Sequence, residues 1–98
     1  MLVALGEIRV RQGGYSEAEK LLREAMEGYQ KTNSSAWGRY YAQSVLGESL
    51  EGLGKSTEGG PLLISGYQEL LKRRDAIPYL YRSNLDEVRE WVEKAAKR

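Results

Sequence analysis

Gly52-Leu53-Gly54-Lys55-Ser56-Thr57 carries the residue types that end a phosphate-binding loop. In such a loop backbone N–H groups cradle phosphates, the lysine reaches their oxygens and the hydroxyl holds magnesium. That chemistry needs a glycine five residues before the Gly-Lys pair, where Ser49 stands, and a strand leading in, where a helical pattern leads in instead. The segment therefore reads as a hairpin turn followed by a helix cap. Glutamates are the other chemical resource, since paired carboxylates do acid–base work or hold calcium. None falls in a loop with ligand spacing, and most lie on predicted outer helix faces. The chain has neither histidine nor cysteine, which removes imidazole bases, thiol nucleophiles, disulfides and the usual zinc sites. No catalytic residue, cofactor-binding residue or metal ligand is assigned, and the expected function is non-enzymatic.

The elements that carry these residues repeat. Leu5-Gly6-Glu7 returns as Leu46-Gly47-Glu48, and the same offset brings Gly13 onto Gly54, Glu17 onto Glu58, Leu21-Leu22 onto Leu62-Leu63 and Lys31 onto Lys72. A period of about 41 residues falls in the window of stacked helical units, each of which buries its apolar face against its neighbours. With 98 residues, 41% hydrophobic and 30% charged, the chain makes one small soluble domain.

The first helix is predicted from Leu2 to Gln12, with Leu2, Leu5, Ile8 and the stem of Arg9 toward the core. It has no capping residue upstream, as at an abrupt natural start or the edge of a longer array. Gly13-Gly14 ends it through the left-handed conformation of a C-cap. Ser16-Glu17-Ala18-Glu19 is a capping box, and Ala18, Leu21, Leu22, Ala25, Met26 and Tyr29 continue a second helix to about Lys31. After the polar turn Thr32 to Ser35, a third helix starts near Ser35 and runs to about Leu53, and Gly54 repeats the role of Gly13. The fourth holds Leu62, Leu63, Tyr67, Leu70 and Leu71, and Gly59-Gly60-Pro61 predicts that it begins late or opens with an irregular turn. Asp75 to Ile77 reads as a loop. Pro78 then opens a fifth helix over about Tyr79 to Lys97, with a break near Ser83 as the alternative. Its apolar stripe is Tyr81, Leu85, Val88, Val92 and Ala95. Its outer face, Arg82, Asp86, Arg89, Glu90, Glu93, Lys94 and Lys97, suits a terminal cap that must be wetted.

These residues resemble the tetratricopeptide repeat: a leucine-glycine pair in the first helix, a turn glycine, an aromatic, then small, large and small residues in the second helix. The first unit gives Leu5-Gly6, Gly13, Tyr15, Ala18, Leu22 and Ala25. The second gives Leu46-Gly47, Gly54, Gly59, Leu63 and Gly66. The long period resembles the kinesin-light-chain type and the repeat tails behind some bacterial serine/threonine kinases. Several positions depart from the pattern. Gln43 stands where tryptophan is favoured, Ser56 replaces the turn aromatic, Gly59 and Gly66 replace alanines, and Gln30 and Leu71 stand where a proline closes a repeat. Each interior glycine costs about 1 kcal/mol against alanine, so the second unit is expected to be the softer. The resemblance implies an all-α superhelix of two helical hairpins, repeat 1 over about 2–32 and repeat 2 over about 36–74, plus a capping helix over about 79–97.

The resemblance also implies a shallow groove lined by the first helix of each pair and suited to a peptide or helix. By position the groove presents Val3, Glu7, Val10 and Arg11, then Tyr41, Ser44, Glu48 and Glu51. Glu7 and Glu48 match across the repeat and favour a basic or neutral polar segment, with Tyr41 as aromatic anchor. Clamps that grip a C-terminal carboxylate need lysine, arginine and asparagine there, and this groove departs from that set. The alternative role is structural: an oligomerisation module, a homodimer through Leu2 and Leu5, or the end piece of a longer array attached to a signalling enzyme. A net charge of +1 offers no basic stripe for nucleic acid. Lys72-Arg73-Arg74 fits a solvated helix end. No apolar stretch approaches a signal peptide or a membrane span, so no membrane partner is expected and a cytoplasmic location is. Without a secretion signal, the sequon Asn33-Ser34-Ser35 reads as accidental.

Overall fold

The computed structural model describes residues 2–34 and 36–97, the side chain of Leu2 excepted. Five α-helices occupy them: α1 (Leu2–Arg11), α2 (Tyr15–Lys31), α3 (Trp37–Gly52), α4 (Ser56–Lys72) and α5 (Arg82–Ala96). The repeat is present in the backbone. α2 and α4 each span 17 residues at the sequence offset, and Gly13 and Gly54 both take φ of 79°, a conformation open to glycine without a Cβ penalty. Gly13 N donates to Val10 O and Gly54 N to Glu51 O, both at 3.0 Å. Ala18, Leu22 and Ala25 are buried in α2, as are Gly59, Leu63 and Gly66 at the matching places in α4.

The helices form two layers. α1, α3 and α5 lie side by side in one, and α2 and α4 make the other, each packed between its sequence neighbours. The core runs between the layers through Leu22, Val45, Leu50, Leu63 and Leu70, and on to Val88 and Trp91 of α5. A radius of gyration of 12.1 Å is near the ~13 Å of a compact chain this long, so the helices curl together and do not extend as a rod.

Glycines fix the helix crossings. Gly6 lies against the Leu22 side chain with no room for a Cβ. At the α3–α4 crossing a Cβ on Gly47 would lie 2.7 Å from Leu63 N and 2.9 Å from Gly59 O, and one on Gly59 would lie 2.8 Å from Gly47 O. Gly66 lies as tightly against Ser44. Gly59 and Gly66 are thus the residues that let two backbones touch, and the propensity argument for a softer second unit omitted that contact.

Other boundaries differ from expectation for local reasons. α2 starts at Tyr15 with Gly14 at the N-cap and no side-chain cap. Ser16 is therefore already inside the helix, and the predicted capping box does not form. α4 starts at Ser56 and continues through Pro61. Pro61 and Thr57, whose carbonyl would have accepted the missing N–H, are both exposed, so water can take that carbonyl. Ile77, expected in a loop, is buried beyond a 3₁₀ turn at Arg74–Ala76. Pro78 precedes a second 3₁₀ turn, Tyr79–Tyr81, and α5 begins only at Arg82, the broken alternative. Trp91, absent from the predicted stripe, is buried beside Val88, while the seven charged outer-face residues of α5 are exposed as expected. In α1 the inward positions are Val3, Gly6 and Val10; Leu5 and Ile8 are 39% and 45% exposed. The Gly6–Leu22 contact sets that rotation. The expected start of the third helix, Ser35, lies outside the described residues.

A Cβ at Gly47 meets backbone that cannot move aside, so Gly47→Ala is expected to destabilise by about 1–3 kcal/mol. Gly28 in α2 has open space around its Cβ position, and Gly28→Ala is expected to stabilise by roughly 0.5–1 kcal/mol. Thermal midpoints moving in opposite directions support the close approach. A stabilised Gly47→Ala refutes it.

Candidate binding cleft between α1, α3 and α5

The would-be phosphate loop resolves first. α3 leads into it, Lys55 Nζ lies 3.5 Å from a Glu19 carboxylate oxygen, and Ser56 Oγ donates to Glu51 at 2.9 Å. It is a hairpin turn, as expected, although no side chain caps α4. Among the described residues no cluster of acidic side chains could hold a metal ion.

The eight groove residues separate into three groups. Ser44 and Glu51 face α4: Ser44 lies against Gly66 and donates to Tyr40 O at 2.9 Å, and Glu51 takes the Ser56 hydroxyl. Both are buried, so neither lines a groove; positions three or four residues from a crossing glycine share its face. Val10 and Glu48 face inward or toward α5. Val10 belongs to the core, and Glu48, only 3% exposed, has Lys94 Nζ of α5 at 3.9 Å. The expected stacking of Glu7 and Glu48 on an open wall is therefore replaced, at Glu48, by cover from the capping helix.

Val3, Glu7, Arg11 and Tyr41 come together. The Tyr41 hydroxyl donates to Glu7 Oε2 at 2.5 Å, and Arg11 pairs with Glu7 Oε1 at 2.5 Å. Arg11 also forms a two-pronged pair with Glu87 of α5, at 3.1 and 3.2 Å. Side chains of the two outer helices thus meet beside Tyr41 of the middle one. Burial, and then the bond to the Glu7 carboxylate, push the Tyr41 phenol well above its ordinary range. The bond to Glu87 raises the Arg11 guanidinium.

Beyond this bridge, toward the amino ends of α1 and α3, the layer opens into a cleft of about 330 Å³. Val3, Ala4 and Glu7 form one wall. Trp37, Gly38 and Tyr41 of α3, Tyr29 of α2, Tyr81 and Asn84 complete the lining. The Trp37 ring centroid is 5.6 Å from that of Tyr81 and 6.4 Å from that of Tyr41. Gly38 has no room for a Cβ because the Tyr29 hydroxyl would lie 2.9 Å from it. The sequence reading missed Trp37, Tyr81, Tyr29 and Asn84. The spacing of Trp37 and Tyr41, one helical turn, could have paired those two. No sequence pattern joins Tyr81 to them, because a 3₁₀ turn delivers it.

No protein-family model matches the chain, and neither a curated protein nor a solved structure matches it. Among the described residues no helix is long and apolar enough to cross a membrane.

The folded chain holds the Tyr41 proton more tightly than the unfolded chain, whose phenol ionises at about 10. Stability from this site is intact below that pH and falls as pH rises past it. In a tyrosinate absorbance titration, the Tyr41 phenol is expected to ionise only as helical circular dichroism is lost, and Tyr41→Phe removes that late component. A late component that persists in Tyr41→Phe assigns the protected phenol to another residue.

Proposed function

We propose that this chain is a non-catalytic protein-interaction module of tetratricopeptide-like type, which docks a peptide segment in the cleft between α1, α3 and α5. The observation that carries the reading is the cleft itself. Residues of the first helix of each pair, Val3 and Glu7 with Trp37 and Tyr41, share one aromatic-lined depression, while Glu48, one repeat on from Glu7, is covered by α5. The 3₁₀ turn that supplies Tyr81 also leaves Tyr79 84% and Leu80 83% exposed. Large apolar side chains left in water beside a concave site mark interaction surfaces. The site is narrower than the expected groove: the Arg11–Glu87 bridge closes one end, so a short segment or a chain end fits and a full helix does not.

Peptides selected by display on the immobilised protein are expected to bind Tyr81→Ala and Ala4→Arg roughly tenfold more weakly or worse. Both positions are exposed, so helicity is retained. Selected peptides that bind both variants as tightly as the parent, or a selection that yields none, would sink the reading.

One observation favours the structural role as a second reading. Leu5 and Ile8 are exposed, yet their counterparts one repeat on, Leu46 and Ser49, are buried. The face of α1 is thus shaped for a neighbouring helix. If a second copy supplies it, Leu5→Glu with Ile8→Glu shifts the light-scattering mass from dimer to monomer; a mass that the pair of changes leaves unaltered removes α1 from any self-interface.

A further inference from the structure

The geometry points to an arginine side chain of the docked peptide as the occupant of the aromatic cleft. The inference rests on the peptide-docking reading above and names the chemistry of the residue that enters. Three features of the cleft carry it.

The first is charge. Among the described residues lining the cleft, Glu7 is the one carboxylate, and no lysine or arginine takes part. Glu7 belongs to a trio with Arg11 and Glu87 whose formal charges leave one negative charge over. A cation entering beside it meets net attraction in a partly dehydrated space, and an anion meets repulsion. Helix amino ends lie nearby and favour anions, but two N–H groups at the start of α5 are engaged: Tyr81 N donates to Pro78 O at 2.8 Å and Arg82 N to Tyr79 O. At α3, Arg39 N is likewise engaged by Ala36 O at 3.0 Å.

The second is shape. Trp37 and Tyr81 lie against each other at 37°, so they make a continuous tilted face and not a box. A flat guanidinium stacks on such a face, whereas a rounded ammonium is better held by an enclosing cage. The chain makes the same kind of pair elsewhere: the Arg73 guanidinium sits 4.4 Å from the Tyr40 ring centroid.

The third is hydrogen bonding. Glu7 has one bond to each oxygen, from Tyr41 and from Arg11, and a carboxylate has about four acceptor sites. Asn84 also lines the cleft, and its side-chain amide carries an acceptor oxygen. A guanidinium, with five N–H donors, can use these acceptors, and a quaternary ammonium or an aliphatic chain cannot.

The test follows the indole N–H of Trp37, one of two tryptophans and assigned by its loss in Trp37→Phe, while blocked single residues are added. Acetyl-arginine methylamide is expected to shift that signal saturably. The citrulline and leucine counterparts, which keep length or apolarity without charge, bind roughly tenfold more weakly. Glu7→Gln, its fold checked by circular dichroism, removes the preference for arginine over citrulline, and Tyr81→Ala weakens arginine. Should Glu7→Gln not fold, the probe series on the parent and on Tyr81→Ala decides. Citrulline or leucine binding as tightly as arginine overturns the inference and leaves an uncharged peptide site. Tetramethylammonium binding more tightly than arginine overturns the guanidinium. No Trp37 shift with any probe overturns it too, even where displayed peptides still depend on Tyr81, in which case docking stands without the cation.

Discussion

Gly47 and Gly59 meet backbone to backbone, and that contact fixes which face of α3 is left for α1 and α5. Helices separated by ordinary side chains lie about 8–10 Å apart and rotate to accommodate them. Here each lacks the atom that would hold the other off, and Gly66 against Ser44 repeats the condition two turns along α4. With Ser44, Gly47 and Glu51 turned toward α4, Tyr41, Val45 and Glu48 must point elsewhere. That places the Tyr41 hydroxyl on Glu7 and buries Glu48 near Lys94. The place of Tyr41 beside Glu7 therefore follows from a glycine contact on another face of the same helix.

The two repeats share a backbone but not a chemistry. α2 and α4 have equal length and equivalent turns, with N-cap φ of −83° at Gly14 and −95° at Lys55. Within that frame the side chains diverge. Tyr15 rests over Gly52, while Ser56, one repeat on, spends its hydroxyl on Glu51. Glu7 and Glu48 occupy matching positions, yet Glu7 sits between Arg11 and Tyr41 at a cleft and Glu48 lies beneath α5. Position in the stack, and not position in the repeat, decides what each residue meets.

The backbone repeat was legible because glycines and apolar spacing state it directly: Gly13 and Gly54 ended the helices, and Ala18, Leu22 and Ala25 named a buried face. Helix rotation was harder to read. Leu5 and Ile8 look like core residues by type, and only the Gly6–Leu22 contact shows that they face outward. The capping box at Ser16 failed because a turn glycine followed by a second glycine let α2 begin a residue earlier than its best cap. Of the site, Val3, Glu7 and Tyr41 were legible from their place in the first helices. Tyr81 was not, because its place depends on Ile77 being buried and on the 3₁₀ turn that follows Pro78. Long-range docking of a non-helical turn leaves no periodic trace.

Glu7 belongs both to the bridge across the layer and to the lining of the cleft, and the two uses bear on each other. Glu7 accepts from Tyr41 on one oxygen and from Arg11 on the other, and Arg11 continues to Glu87. The Arg11 side chain is 56% exposed, while those of Glu7 and Glu87 are 13% and 22% exposed, so water screens the bridge from the arginine side only. Burial of Val88 and Trp91, and not this bridge, holds α5 in place. A cation beside Glu7 would share that carboxylate with Arg11, which keeps its second partner in Glu87. The Tyr41 hydrogen bond is part-buried and charge-assisted, and losing it would leave a carboxylate short of a partner. The cleft thus has a fixed element in Tyr41 with Glu7, and the Arg11–Glu87 pair lies just beyond it.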